Sequence, residues 1–516
     1  MATSEETTSP LAGVETRLRN IIPAKLYADV WITPSVRNLT RVFNHLRTMH
    51  RILHGYLPRQ IISSLPKPGA PHLEWVEGTL MFTDLAGFTP LLEKNAAYGK
   101  EGAQAILDII NGYFTEMLQI ISKSGGNLLE FTGDALLAQF PTSQRQRDTS
   151  RAVRAGLRMQ RAMKKYKKFE ILGENFSLGM RVGIHPGRFL TADIGTPHRM
   201  EHVLLGSSVL KTKKAEGFGK MGLVNLSEDA KERVKDEFHY KNNAEGFSLV
   251  VDDLSEEELG DYDIITPKTR MASMVLFDTS KAGLVNAIND SIDKIEPLAT
   301  FLPSRILNLI VENAASRGIP PDFPGATLLF INLLGLPENL EDVEPEDLES
   351  IIVEFSRMVS LFNAEIESQG GVMKKVTYHH AGPDIMAFFG VPEAHTNDTI
   401  RAISAANAII EIVKIAKGIK IGEETIKLSA HIGITCGQVF AAEIGERQGR
   451  REFNVMGNTV NTAARLMDYA DSNQIIVSEE VHEQVKDLFE TTKFSGVQLK
   501  GKSQKMTLYA IGKHLE

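Results

Sequence analysis

The chain has 516 residues, is 42% hydrophobic and 24% charged, and carries a formal charge of −8. That is the balance of a soluble globular protein, and it excludes a general attraction to nucleic acid or anionic membrane; basic patches count only locally. Cys436 is the only cysteine, which excludes an intrachain disulfide and points to a reducing, cytoplasmic setting.

The opening MATSEETTSPLAG is polar and lacks the apolar core of a signal peptide. Residues 1 to about 16 read as disordered. NLTRVFNHLRTMHRILHGYLP (38–58) reads as a helix leading into a first domain, so an extension covers 1–44 and the first domain 45–251. Within it, TLMFTD is β-rich, and EGAQAILDIINGYFTEMLQIISKS has helical spacing with a Gly-Gly stop. NLLEFTGDALLAQF alternates about a Gly-Asp turn, as a hairpin does. SRAVRAGLRMQRAMKKYKKF is an amphipathic helix, whose basic KKYKKF end reads as solvated, and SLGMRVGIHPG is a strand. The acidic DDLSEEELGDYD opens a linker over 252–299 that continues as helix. A second domain fills 300–516, with no apolar run near the roughly 20 residues of a membrane span.

The second domain repeats the first in the same order. YLPRQI (56–61) returns as FLPSRI (301–306), and TLMFTDLAGF (79–88) as TLLFINLLGL (327–336). KSGGNLLEFTGDALLAQFP returns as SQGGVMKKVTYHHAGPDIMAFFGVP, MRVGIHPG as AHIGITCG, and HVLLGSSV as FNVMGNTV. Each copy reads βαββαβ: an α+β fold with an antiparallel sheet and helices on one face.

Asp84 ends a strand just before Leu85, Ala86, Gly87, Phe88, Thr89 and a helix. A carboxylate beside the N–H groups of a helix start suits a metal-bound phosphate chain, although such an aspartate is more often a plain helix cap. Asp134 sits in a Gly-Asp turn, a common structural choice. The hairpin strands bring both carboxylates to one end of the sheet, where with the Leu85 carbonyl they suit paired Mg²⁺ or Mn²⁺ ions. The second copy has Asn332 and His379 at those two positions. It has instead Lys375 where the first has Glu130, and Asn454, Asn461 and Arg465 where the first has Val203, Leu210 and Lys214. Arg181 is matched by His431. Lys374 beside Lys375 reads as a solvated lysine, and His379-His380 as hairpin residues.

Together FTDLAGFT, GGxxxxFxGDALLA, MRVGIHPG and VMGNTVNTAAR resemble a class III nucleotidyl cyclase, and the asymmetric tandem is similar to the catalytic half of the bicarbonate-responsive soluble adenylyl cyclases. The resemblance spans roughly residues 45 to 513 and implies two cyclase homology domains paired head to tail as a pseudo-heterodimer within a monomer. It implies conversion of ATP to cyclic AMP at one composite site. Asp84 and Asp134 would bind two Mg²⁺ or Mn²⁺ ions, Lys375 and Asn454 the base, Asn461 the ribose, Arg465 the α-phosphate and Arg181 the terminal phosphates. A guanylyl cyclase and a nucleotide-binding pseudo-cyclase are the alternatives. In those relatives the degenerate second site takes bicarbonate through a lysine and an arginine. Here Glu130 stands at the lysine's place and Lys213 near the arginine's, so an internal Glu130–Lys213 pair is expected and the regulatory small ligand is left open.

Overall fold

A computed structural model describes residues 11–142, 147–260, 278–316, 318–379, 382–446, 449–500 and 504–515. Residues 1–10 of the expected disordered segment and His380 lie outside the described residues. Residues 11 to 16, expected to be disordered, begin short helices over Ala12–Val14 and Glu15–Arg19, with Leu11 and Leu18 buried.

Each copy builds a seven-strand path in the same order. In the first, Asn127–Thr132, Ala135–Pro141, His72–Ala86, Gly179–Thr196, Val224–Ser227, Phe247–Val250 and Tyr240–Asn242 lie side by side. In the second, the order is Val372–His379, Gly382–Phe389, Gly325–Leu334, Ser429–Gln438, Gln474–Ser478, Met506–His514 and Phe489–Val497. Pairing is antiparallel apart from one parallel step in each copy, Val182–Ile184 with Val224–Leu226 and His431–Ile434 with Gln474–Val477. Identical topology in two halves is the structural form of the repeat.

Period-two alternation assigns the two faces of the central strand. Met81 points into a core with the helix Gly99–Lys123, which buries Ile106, Ile110, Tyr113, Phe114, Met117 and Ile121 along one stripe. Leu80 and Phe82 point the other way, into a core shared with Leu329, Ile331 and Leu333 of the second copy. The copies are therefore fused by apolar packing. A third core holds the helices Val36–Tyr56 and Lys281–Ala299 together against Leu328, Val372, Phe453 and Val455 of the second copy. The extension and the linker thus form one helical layer.

Each copy also carries a two-stranded arm. In the first, the long strand Gly179–Thr196 runs on to pair with Arg199–Leu205; in the second, Phe440–Gly445 pairs with Arg451–Met456. The helix after each arm lies tight on the central sheet. A Cβ at Gly183 would sit 2.0 Å from Glu216 N, and one at Gly433 would sit 2.3 Å from Ala463 O. Glycine at these two positions sets how closely the helices bearing Glu216 and Arg465 approach.

Candidate active site

Asp84 lies near the end of its strand, opposite Arg181 in the pairing register, and accepts from the Arg181 guanidinium at 2.5 Å. Arg181 Nε also lies 2.8 Å from Glu216 Oε1, in ion-pair contact outside hydrogen-bond geometry. Leu85 follows, opposite Met180, with its side chain buried. Gly87 adopts φ 90°, and any Cβ there would meet Ser177 O at 2.4 Å. That left-handed residue turns the chain from the strand into the helix Phe88–Ala96, so Gly87, Phe88 and Thr89 form its N-terminal turn.

Asp134 follows Gly133 in the hairpin turn, as expected. Burial pushes its carboxyl up to about 7, and the negative charges of Asp84 and Glu216 add to the rise. Glu216 is likewise pushed up to about 7 by burial, Asp84 adding and Arg181 opposing. Three carboxylates share this end of the sheet with one guanidinium. Such crowding fits a divalent cation, which would favour the ionised forms of all three. Among the described residues no cluster of three or more His, Cys, Asp or Glu is already arranged as a metal cage. The protein donors on hand for a metal are therefore the Asp84–Asp134 pair, with nucleotide oxygens or water completing a shell.

The second copy reaches this hairpin. Lys375 donates to the Phe131 carbonyl and lies 3.6 Å from both Glu130 and Glu452. Asn454, on the second-copy arm, donates to the Gly133 carbonyl at 3.3 Å, one residue from Asp134. Lys375 and Asn454, expected to contact a base, therefore lie across the domain boundary against the hairpin that bears Asp134. Asn461 and Arg465 lie on the helix Asn458–Tyr469 beyond the arm. Asn461 is exposed, and Arg465 is held by Asp468 at 2.9 Å on the same helix. The structure does not bring these two against the carboxylates.

At the pseudo-symmetric end, Asn332 lies opposite His431 and donates to Asp384 Oδ1 at 2.8 Å. The second copy has no acid at either matching place. A residue count pairs His379 with Asp134; because the second-copy turn is longer, the strand register matches Asp134 to Pro383, and Asp384, which matches Ala135, is a further acid set beside Asn332. Burial pushes Asp384 up to about 7, while Asn332 and Lys213 oppose the rise. The expected Glu130–Lys213 pair is also corrected. Glu130 accepts from Thr132 at 2.9 Å and faces Lys375, whereas Lys213 donates to the Tyr378 carbonyl at 2.6 Å and lies 5.6 Å from the centre of the Phe82 ring. Lys374 is not solvated: it is largely enclosed and bonded to Glu452.

Compared with known proteins, residues 74–251 and 321–513 both match the family model described as the adenylate and guanylate cyclase catalytic domain. The chain belongs to this cyclase family. It is 24% identical over 438 residues to adenylate cyclase type 10 of Oryctolagus cuniculus, covering 80% of this chain and 25% of that protein. The human type 10 enzyme is 22% identical over 425 residues, with the same coverage. An adenylate cyclase of Mycobacterium tuberculosis is 28% identical over 240 residues, 46% of this chain and 50% of that one. The chain thus spans about a quarter of the type 10 relatives' length. A crystal structure of a class III adenylyl cyclase-like ATP-binding protein from Pseudomonas aeruginosa superimposes with a TM-score of 0.55 at 15% identity, over 86% of this chain and 92% of that one. It shares the two-copy fold.

In this cyclase-family chain, sequence reasoning passed over Glu452, Glu216 and Asp384. Glu452 had a signal: EHV (201–203) and EFN (452–454) align, and both glutamates face the same rung of their arms, Ile194 and Ile444. Burial works against the charge of Glu452, yet Lys374 and Lys375 hold its carboxyl below the usual range. Glu216 and Asp384 had no such signal.

Proposed function

We propose that the chain is an adenylyl cyclase converting ATP to 3′,5′-cyclic AMP and pyrophosphate at one composite site. The observation that carries this reading is the meeting of Lys375 and Asn454 with the hairpin that bears Asp134. Neither copy holds both sets of groups.

Asp84 and Asp134 would hold Mg²⁺ or Mn²⁺, with the Leu85 carbonyl as a third oxygen. Bound there, the metal supplies Lewis-acid activation of the ribose 3′-hydroxyl and neutralises the leaving phosphates. Lys375 offers its ammonium to adenine N1, an acceptor, and Asn454 offers an amide to the exocyclic amine. Guanine N1 carries a hydrogen and would want a carboxylate instead, so Lys375 favours ATP. Arg181 already lies beside Asp84 and is the cation for the terminal phosphates, received at the Gly87–Phe88–Thr89 turn. Asn461 orients the ribose, and Arg465 stabilises charge developing on the α-phosphate. Arg465 has to leave Asp468 first, but a half-exposed pair of this kind contributes only about 0–1 kcal/mol. The Arg465–Asp468 pair is also the observation favouring a second reading, a pseudo-cyclase that binds nucleotide without turning it over.

The single cysteine and the lack, among the described residues, of any helix able to cross a membrane support a cytoplasmic setting. Apolar fusion of the two copies supports a site complete within one chain. Incubating purified protein with ATP or GTP and Mn²⁺ and quantifying the cyclic nucleotide tests the proposal. Cyclic AMP supports it, cyclic GMP alone would replace it with guanylyl cyclase, and binding without product would leave the pseudo-cyclase.

A further inference from the structure

Glu130 and Lys375 stand at the same place in the two copies, each after the second glycine of its Gly-Gly pair. In both copies a bulge just before that place shifts the strand register, between Leu128 and Glu130 in the first and between Met373 and Lys375 in the second. A bulge re-aims a side chain, and here the Lys375 ammonium ends 3.6 Å from Glu130 Oε1 across the domain boundary. Where two copies of one framework pair about an axis, a residue near that axis faces its own counterpart. Identical charges at such a place repel. Divergence to glutamate in one copy and lysine in the other turns the contact into an ion pair.

The first-copy strand Asn127–Thr132 receives this lysine at neighbouring residues. The Phe131 carbonyl accepts from the ammonium. Thr132, two residues on from Glu130 and so on the same strand face, donates its hydroxyl to Glu130 Oε1 at 2.9 Å and fixes the carboxylate. An ammonium has three N–H donors. One goes to Phe131, one is drawn to the carboxylates, and the third is left for an acceptor on a ligand. Among the other charges around Lys375, Glu452 lies equally close, but it belongs to the lysine's own copy and accepts from Lys374. Glu201 is buried and bonded to Arg199, and Lys213, a first-copy cation near Glu130, donates to the Tyr378 carbonyl. Glu130 is therefore an acidic contact that the first copy adds to the lysine. The pair is not sealed: Lys375 keeps 19% of its side chain exposed and Glu130 11%, which leaves the ammonium within reach of a ligand.

We propose that Glu130 is a specificity-determining positioning residue: held by Thr132, it aims the Lys375 ammonium at the base edge of a purine nucleotide. It thereby raises selectivity for a base with an acceptor at N1, as in adenine, over one with a donor there, as in guanine. It touches no substrate itself and acts only through Lys375. Without its charge the ammonium is left to Glu452 alone among its close carboxylates, and the third N–H loses its fixed direction. The identity of the ligand rests on the adenylyl cyclase reading; the ion pair between the copies does not.

The test is a double-mutant cycle on the full chain: wild type, Glu130→Gln, Lys375→Met and the double variant, with kcat and KM measured for ATP and for GTP in Mn²⁺. Glu130→Gln keeps the side-chain shape and should lower kcat/KM for ATP by about threefold to tenfold, the scale of one hydrogen-bonded contact. The loss should fall on KM, with kcat within about twofold, because the contact serves binding of the base. The value for GTP should stay within about twofold. In the Lys375→Met background, Glu130→Gln should change kcat/KM for ATP by less than about twofold. Thr132→Val, which removes the hydroxyl that fixes the carboxylate, should shift the ATP-to-GTP ratio in the same direction by a smaller factor. An equal fall with both nucleotides, a gain with ATP, or an undiminished effect in the Lys375→Met background would each overturn the proposal. Should the chain turn over neither nucleotide, the cyclase reading falls, and Kd values for non-hydrolysable ATP and GTP analogues on the same chains decide this one. A preference for the ATP analogue that drops in Glu130→Gln only while Lys375 is present would keep it; no such dependence would overturn it.

Discussion

In the proposed adenylyl cyclase function Lys375 is the residue on which the choice of base would turn, and Lys375→Met separates its roles. Its ammonium donates to the Phe131 carbonyl and lies 3.6 Å from both Glu130 and Glu452. At an effective dielectric of 20, a unit charge pair at that distance attracts by about 4–5 kcal/mol before desolvation is subtracted. Desolvation cancels much of this, and a lost charge-assisted hydrogen bond typically costs about 1.5–3 kcal/mol. The same loss against adenine N1 lowers kcat/KM for ATP by about tenfold to 150-fold. GTP has no acceptor at N1, so its kcat/KM should stay within about threefold, a shift below the tenfold that 1.4 kcal/mol represents. Lys374→Met is the control: it strips a partner from Glu452 but no hydrogen bond to the first-copy hairpin, and should lower Tm without changing the ATP-to-GTP ratio. The assay is cyclic nucleotide production with each substrate, alongside thermal melts of both variants. An unchanged ratio in Lys375→Met, or an equal collapse in Lys374→Met, would refute the assignment.

Asp84→Ala and Asp134→Ala should each abolish cyclic AMP production with Mn²⁺; wild-type-like turnover in either would remove the metal assignment. Arg465→Ala should lower kcat by about 10²–10³ with little change in KM, the scale of one preorganised transition-state donor. Asp468→Ala, which frees Arg465, should not lower kcat, and a loss as large as that of Arg465→Ala would contradict the reading. Asp384 has its carboxyl raised from 3.8 to about 7 by burial, so the folded state holds a proton that the unfolded state releases first. Its contribution is complete below about pH 4 and is lost as pH rises through about 7, with an upper limit of about 4 kcal/mol at about 1.36 kcal/mol per pH unit. Asp384→Asn keeps the oxygen that accepts from Asn332 and should gain stability over the wild type across that interval; urea melts showing a constant difference would exclude this. Bicarbonate against matched chloride at fixed pH should stimulate the wild type less than about twofold, because burying an anion needs a cation to spare. Lys213 is committed to the Tyr378 carbonyl and flanked by Glu130 and Asp384, and several-fold activation would sink this expectation.

The repeat made most of the fold legible, because sheet order follows from where strand-length apolar runs and turns recur. Asp84, Asp134, Lys375 and Asn454 were legible for the same reason: each stands in a motif whose counterpart in the other copy carries a different residue. Three things were not legible. The hairpin Val372–His379 with Gly382–Phe389 is longer than its counterpart, so residue counting named His379 where the strand register sets Pro383, and it passed over Asp384 beside Asn332. Lys374 looked solvated because local sequence cannot show that Glu452, on an arm some 78 residues away, folds over it. The helix 36–56 was readable as a helix, but its docking on the linker and the second copy is tertiary packing that its own apolar stripe does not specify.

The asymmetry of the two pseudo-symmetric ends can be stated as charge. At the first, Asp84, Asp134 and Glu216 face Arg181, three carboxylates against one cation; burial, with the neighbouring negative charges adding to it, pushes Asp134 and Glu216 up to about 7. At the second, replacing the aspartate by Asn332 leaves Asp384 with Lys213 as its opposing cation, one charge against one. Duplication supplied two frameworks of the same strand order, and the exchange of Asp84 for Asn332 at the end of the central strand is one of several differences, with Arg181 for His431 and Glu130 for Lys375, that separate their ends. Introducing a second acid there by Asn332→Asp would set two carboxylates within hydrogen-bond distance, with Lys213 already bonded elsewhere. One of the pair would then have to stay protonated. In the proposed function a divalent cation brings the opposing charge to the first end, whereas at the second Asn332 donates to Asp384 in place of a second acid.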